Sequence, residues 1–405
     1  MRVNQFLLII LIISVSFGQL SRIELFDGAT LYLTDIILFF LILTSLFYFL
    51  VIRKRFLLPS LTLPILLFII WDIISLLVNS GDLTKSQFFV SSLYLFRWIE
   101  YAFLYFIAFW LVKEDQRFSR VIFSFFILIS LLLSVLGFFQ LYFFPDFSFM
   151  VQYGWDPHQF RLLSTFFDPN FIGGFFVLSI ALILGELFKK HKAAEDPFLF
   201  LSLLSIGIAL VLTFSRSAYL ALTVVVAFFT FFRSKKIFLV AMILGLGLAA
   251  GIPRIQQRIT GAVQLDPSAR ARLVSWENTL EIARDNLLFG VGYNSFRYAQ
   301  DRYEFVALEA SGHSSAGSDS SLLLILATTG IPGLLIYFWI LSKIFWDSVK
   351  KFMEDNLIGL VVAASLIALL AHSQFVNSLL YPWVLIWFWI LVGISEAKEE
   401  VSTKS

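Results

Sequence analysis

Runs of about 20 consecutive apolar residues recur along the whole chain, each long enough to cross a bilayer as a helix. Hydrophobic residues make up 59% of the 405 residues and charged residues only 14%, with 48 Phe. Such a chain has no solvent-facing helix surface to spare, so it reads as an all-α integral membrane protein. Twelve spans are expected, at 4–20, 31–52, 57–79, 88–112, 119–144, 169–188, 197–213, 216–232, 236–252, 321–345, 356–376 and 379–396. The first run is read as a retained helix and not a cleaved signal peptide, because Arg2 is its only basic flank and no small-x-small site follows.

The absence of Cys excludes disulfides, thiol catalysis and Cys-based metal sites. The net charge of +2 says little about partners, but its distribution says more. Even-numbered loops hold 15 basic residues, among them Arg53, Lys113, Lys189, Arg233 and Lys350. The short odd-numbered loops hold four: Arg22, Lys85, Arg161 and Arg216. By the positive-inside bias both termini, including the tail 397–405, are cytoplasmic. The expected organisation is one polytopic membrane domain over 1–405 with a large extracytoplasmic loop at 253–320. No internal repeat of the kind found in many transporters is visible.

That loop carries seven Arg (Arg254, Arg258, Arg270, Arg272, Arg284, Arg297, Arg302) and no Lys. Either residue would serve solubility, so the choice of Arg suggests planar, bidentate recognition of phosphate or carboxylate. The loop is expected to contain a short helix. Asp266 is a plausible N-cap, Pro267 a first-turn residue, and Leu273, Trp276, Leu280, Ala283 and Leu287 recur at helical spacing until Gly290. Arg272 and Trp276 share one face of that helix, which reads either as a membrane-surface helix or as a binding face. Gly290-Val291-Gly292 permits a tight turn, but without a strand or a Lys it is weak as a phosphate loop.

Ionisable residues within spans tend to be functional. Here they are Asp35, Asp72, Arg97, Glu100 and His372. Arg97 and Glu100, three apart, either form an internal salt bridge or help floor an outward-facing cavity. Arg216, in the turn between two spans, reads either as an interfacial snorkelling Arg or as a diphosphate anchor. Asp319 reads as an N-cap of span ten or as a general base. His313 reads as a loop residue or as a second base candidate. No convincing metal-ligand cluster stands out.

Four stretches, in this order, resemble the O-antigen ligase and polymerase family of membrane glycosyltransferases. They are Arg161 to Asn170, Ser215-Arg216-Ser217-Ala218, Arg272-x3-Trp276 followed by Gly290-Val291-Gly292, and Asp319-Ser320-x9-Gly330-x2-Gly333. Together they span about residues 160–345. One departure is clear: the family's ligases place a His where this chain has Asp319. The resemblance implies a glycan donor on a polyprenyl diphosphate, attacked by an acceptor hydroxyl of a glycan, lipid or protein outside a bacterial cytoplasmic (inner) membrane. It implies no cofactor or metal and no nucleic acid. Arg272 and Arg216 would neutralise the leaving diphosphate and Asp319 would activate the acceptor. Arg161, Arg97, Glu100, Trp276 and His313 would bind substrate. Ligase and polymerase remain open. The alternative is a transporter or flippase of a lipid-linked saccharide, which needs charge through the full membrane depth, whereas the charge here concentrates on one side. A non-catalytic envelope protein would tolerate loss of Arg216, Arg272 and Asp319.

Overall fold

The structure is a computed structural model. It describes the chain except residues 27, 55–56, 190–195, 233–238, 240–242, 244, 246, 248–249, 306–316, 355 and 399–405. The described α-helices, in chain order, are α1 (Arg2–Ser14), α2 (Leu33–Leu46), α3 (Thr62–Val78), α4 (Lys85–Glu114), α5 (Phe118–Phe143), α6 (Pro169–Lys189), α7 (Pro197–Leu212), α8 (Arg216–Phe232), α9 (Pro253–Val263), α10 (Pro267–Asp285), α11 (Phe296–Arg302), α12 (Ser321–Met353), α13 (Leu357–His372) and α14 (Pro382–Ala397). A two-residue hairpin pairs β1 (Ile23–Glu24) with β2 (Thr30–Leu31).

Among the described residues seven helical stretches are long and apolar enough to cross a membrane, and four shorter apolar helices, α7, α8, α13 and α14, join them. The expected span 236–252 falls largely outside the described residues. The helices begin where side chains can take the orphan N–H groups. Thr84 and Gln87 form a capping box at α4, Asp196 accepts from Phe198 N ahead of α7, and Asn356 caps α13.

The centre of the bundle is α14, which lies along α4 and buries Trp383, Trp387 and Trp389. Around it, α13 packs against α6, α8 and α12. The rim is the reverse: α2 and α3 turn Phe39, Phe40, Leu43, Leu66, Ile70 and Leu77 outward. Apolar surface on this scale needs a lipid environment or a partner.

Two expectations are corrected. Among its described residues the long loop holds three helices, α9, α10 and α11, where one short helix was expected, and α10 runs for 19 residues. Arg97 bonds Asp35 of α2 at 2.8 Å, across helices, where a pair with Glu100 on its own helix was considered.

Residues 286–293 dock on α12 at a point where that helix is unwound. Gly330 sits at φ 69°, and a Cβ there would run into Leu288 O. Its left-handed backbone is open to glycine at no steric cost. The carbonyls freed by the kink are taken up from outside the helix. Val291 N donates to Ala327 O (2.9 Å), Gly292 N to Thr328 O (3.1 Å) and Trp71 Nε1 to Thr329 O (2.7 Å). In return Ile331 N donates to Leu287 O (2.8 Å). Gly290-Val291-Gly292 is therefore a backbone docking strip. Ile282, Ala283, Val291, Phe296 and Ala299 close the contact with Leu324 and Ala327.

Candidate functional site

A cavity of about 750 Å³ lies between the bundle and the long loop. Its walls come from α4, the hairpin, the segment 155–171, α9, α10, α11 and the start of α12. Of the residues singled out from sequence, Arg97, Arg161, Arg272 and Asp319 line it. Arg216, Glu100 and Trp276 do not. His313 lies outside the described residues.

The charged end of the cavity is organised by the turn between α7 and α8. Phe214 holds φ 49°, which turns successive carbonyls outward. Arg161 Nε donates to Thr213 O (2.8 Å) and Arg258 Nε to Phe214 O (3.1 Å). Ser215 Oγ donates to Asn170 Oδ1 (2.8 Å), which ties the same turn to the start of α6. His372 Nε2 lies 3.1 Å from Asn170 O. Asp168 Oδ1 accepts from the backbone of Asn170 (2.6 Å) and Phe171 (2.9 Å) and so starts α6. The Ser215-Arg216 turn thus fixes three wall residues: Arg161, Arg258 and Asn170.

Arg216 itself is not part of the cavity wall, although its charge reaches the wall residues Arg258 and Arg272. Its guanidinium, 14% exposed, pairs with Asp266 at 3.1 Å. Asp266 accepts from Ala269 N at 2.9 Å as the N-cap of α10, as its sequence position suggests. Arg216 therefore aims α10, the helix that carries Arg272. Trp276, one turn beyond Arg272, packs its ring 5.7 Å from Phe375, a wall residue. Glu100 is buried and does not reach the cavity wall.

Asp319 does not cap α12. Ser320 takes that place, its side chain accepting from Leu323 N, and Asp319 is free to face the cavity. Ser275 Oγ of α10 accepts from Asp319 N (3.1 Å), so α10 and the head of α12 are tied at the wall.

Burial raises the Asp319 carboxyl above its ordinary range, and Arg272 opposes the shift. Burial, with Arg258 as the leading charged neighbour, draws Arg161 down to about 9. Arg258 and Arg272 are lowered too, again chiefly by burial. Guanidiniums crowded and desolvated in this way gain most from an anion placed among them.

Asp156, His158 and Asp168 also meet here, with potential ligand atoms within 4.8 Å of one another. Hard carboxylates and an imidazole suit a divalent cation in type. Their surroundings do not: Arg161 and Arg258 stand close enough to depress His158, which burial above all pulls to about 4. The setting favours an anion. Sequence reading missed this trio, and it missed Arg258 and Arg297 as wall residues although both stand in its Arg tally. The signal for the trio is only Asp156-x-His158 ahead of Asp168, in a segment with no periodicity.

A second group of guanidiniums and rings lines the same cavity. Arg97 lies over Tyr94 (4.8 Å) and Tyr32 (5.3 Å) and bonds Thr30 O of the hairpin. Arg297 of α11 lies 5.7 Å from the Tyr94 ring centroid. Arg22 lies over Trp155 at 5.5 Å.

No curated protein matches the chain. The stretch from α7 through the Ser215-Arg216 turn and the long loop, past the Gly330 kink of α12, is similar to the family described as O-Antigen ligase (Wzy_C), whose model matches residues 200–338.

Proposed function

We propose that the protein transfers a glycan from a polyprenyl diphosphate to an acceptor hydroxyl inside this cavity. The observation that carries the reading is the placement of Asp319 and Arg272 on one wall, held together through Ser275 and close enough for Arg272 to act on the Asp319 carboxyl. The leaving diphosphate is already stable, so the protein has mainly to hold its growing charge. Arg272, Arg161 and Arg258 supply that charge. The acceptor oxygen bonds to the anomeric carbon, the bond from that carbon to the diphosphate oxygen breaks, and the hydroxyl proton passes to Asp319. A carboxyl raised by burial is a stronger base than an exposed one once ionised. Arg216 acts through Asp266 by positioning α10, and Trp276 by supporting Phe375. By the bias of basic loops, the cavity faces away from the cytoplasm of a bacterial inner membrane.

The test is a glycan size profile from a deletion strain complemented with wild type, Arg272→Ala or Asp319→Ala, with carrier-linked and acceptor-linked pools run separately. Single repeats remaining on the acceptor indicate a polymerase. Long chains stranded on the carrier indicate a ligase. Pools that match wild type for both variants overturn the reading and favour transport of another substrate.

A further inference from the structure

The exposed surface changes character where α10 ends. Glu277, Glu281, Arg284 and Asp285 are exposed along the helix, and directly after them so are two leucines, Leu287 at 50% and Leu288 at 58%. Phe289 turns inward instead and stacks on Trp71 of α3, with ring centroids 5.5 Å apart. Adjacent leucines held this open forgo the gain of burial if water surrounds them.

Their depth is fixed by α3 and α12. Ser75 Oγ of α3 donates to Phe289 O (2.7 Å) and also lies 2.9 Å from Thr328 O of α12. Leu287 O takes the N–H of Ile331 at 2.8 Å. The polar turn that ends α3 comes only at Asp82, an exposed residue whose carbonyl accepts from Arg302 (2.9 Å). Ser75 stands about two turns short of it, on the order of 10 Å along the helix. Residues 287–289 therefore sit beside the apolar length of two long helices and not above their ends. The neighbouring exposed side chains are Ile70, Ile74 and Leu77 of α3 and Ile331 and Leu335 of α12. Leu287 joins this apolar belt directly through its backbone bond to Ile331.

Irregular backbone survives at membrane depth only where protein groups satisfy it. Here Ile331 N serves Leu287 O and Ser75 serves Phe289 O. Gly290 N donates to Asn286 O (2.9 Å) and Val291 N to Ala327 O (2.9 Å).

We propose that residues 286–289 form a re-entrant wedge that dips into the bilayer, with Leu287 and Leu288 against lipid acyl chains. Part of the segment 253–320 then lies within the membrane. The boundary between water and lipid falls at the switch from Arg284-Asp285 to Leu287-Leu288. α10, the helix of Arg272, enters the bilayer by its C-terminal end and is pinned there at a set depth. The wedge depends on neither glycan transfer nor transport in the cavity.

The chain has no Cys, so a single introduced Cys takes a nitroxide label at one place. The experiment uses the full chain in lipid nanodiscs and measures collision of the label with oxygen, which concentrates in lipid, and with a nickel complex confined to water. Leu287→Cys and Leu288→Cys are compared with Phe39→Cys on the exposed rim of α2 and with Glu281→Cys on α10. The expected result is that both wedge labels follow Phe39→Cys, with oxygen access severalfold above that at Glu281→Cys and nickel access severalfold below it. Nickel access equal to that at Glu281→Cys overturns the proposal, because the loop then stands in water. Low access to both reagents also overturns it, because protein, such as a second copy of the chain, then covers the leucines. Hydroxyl-radical footprinting of the unmodified protein in the same nanodiscs asks the question without a substitution. Leu287 and Leu288 should be protected, and oxidation of either as fast as that of the exposed Leu273 of α10 would sink the wedge.

Discussion

Arg216 Nη2 and Asp266 Oδ1 lie 3.1 Å apart, and the same oxygen accepts the Ala269 N–H that starts α10. One carboxylate therefore joins the turn between α7 and α8 to the helix bearing Arg272. Arg216→Ala and Asp266→Ala should each lower activity by the same route. Each should destabilise by on the order of 1–2 kcal/mol, as expected for a partly buried pair with a cap. The double variant should be clearly less than additive. Melting temperature and transfer rate of all three, measured together, check this. Full additivity would mean that the pair does not act as a unit.

Arg272 should not be replaceable by Lys. Lys keeps the charge and loses the two-pronged fork. Arg272→Ala should reduce transfer by on the order of 10²–10³-fold, the usual cost of removing one group that holds developing anionic charge. Arg272→Lys should recover only part of that loss. A Lys variant as fast as wild type would show that Arg272 acts as a point charge alone.

Asp319 sets a pH dependence. A base acts when deprotonated, so the rate should rise with pH through the Asp319 pKa, which burial places above the ordinary carboxylate value. Arg272 lowers that pKa, so Arg272→Gln should move the acidic limb to higher pH. Stability runs the other way. A carboxyl raised in the fold contributes most below its unfolded value of 3.8, and the contribution is lost as pH rises through the folded value. Asp319→Asn should thus be as stable as wild type or more so at neutral pH, while slower by about 10²–10⁴-fold. An acidic limb unmoved by Arg272→Gln would separate the two residues functionally.

Gly330→Ala should be among the most damaging small substitutions in the chain. Its positive φ and the close approach of Leu288 O leave no room for a Cβ. The cost is on the order of 1–3 kcal/mol for the backbone alone, before any displacement of residues 286–293. Gly207→Ala in α7, where a Cβ would meet nothing within 4 Å, serves as the matched control and should be neutral or slightly stabilising. Thermal unfolding of the two variants in the same detergent decides the comparison.

Much of the helical frame was legible because the membrane leaves an apolar run few other choices. The same holds for the interruption of α12, since Gly330 and Pro332 cannot continue a helix unnoticed. The pairing of Arg97 was not legible. Sequence spacing offers Glu100 on the same face, and only the packing of α2 against α4 brings Asp35 closer. The role of Asp319 stayed open in the sequence for a local reason: Asp319 and Ser320 are adjacent and both are good N-cap residues, and Ser320 takes the cap of α12. Arg216 stood out in the sequence, but its partner lies 50 positions away and is itself a helix cap. His158 and its neighbours lie in a segment with neither helical nor strand periodicity, so no pattern marks them.

The strip 286–293 has a mechanical consequence. It bonds the loop to α12 by backbone at three points, and Ser275 bonds α10 to Asp319 above them. Asp319 and Arg272 therefore ride on a single jaw. The facing jaw, Arg161 with Asp168 and Asn170, is anchored to the other side of the bundle through the α7–α8 turn. Arg216 and Asp266 form a side-chain latch between the α7–α8 turn and α10. The spacing of the cavity's charged walls is therefore held by a side-chain pair that lies outside the lining itself.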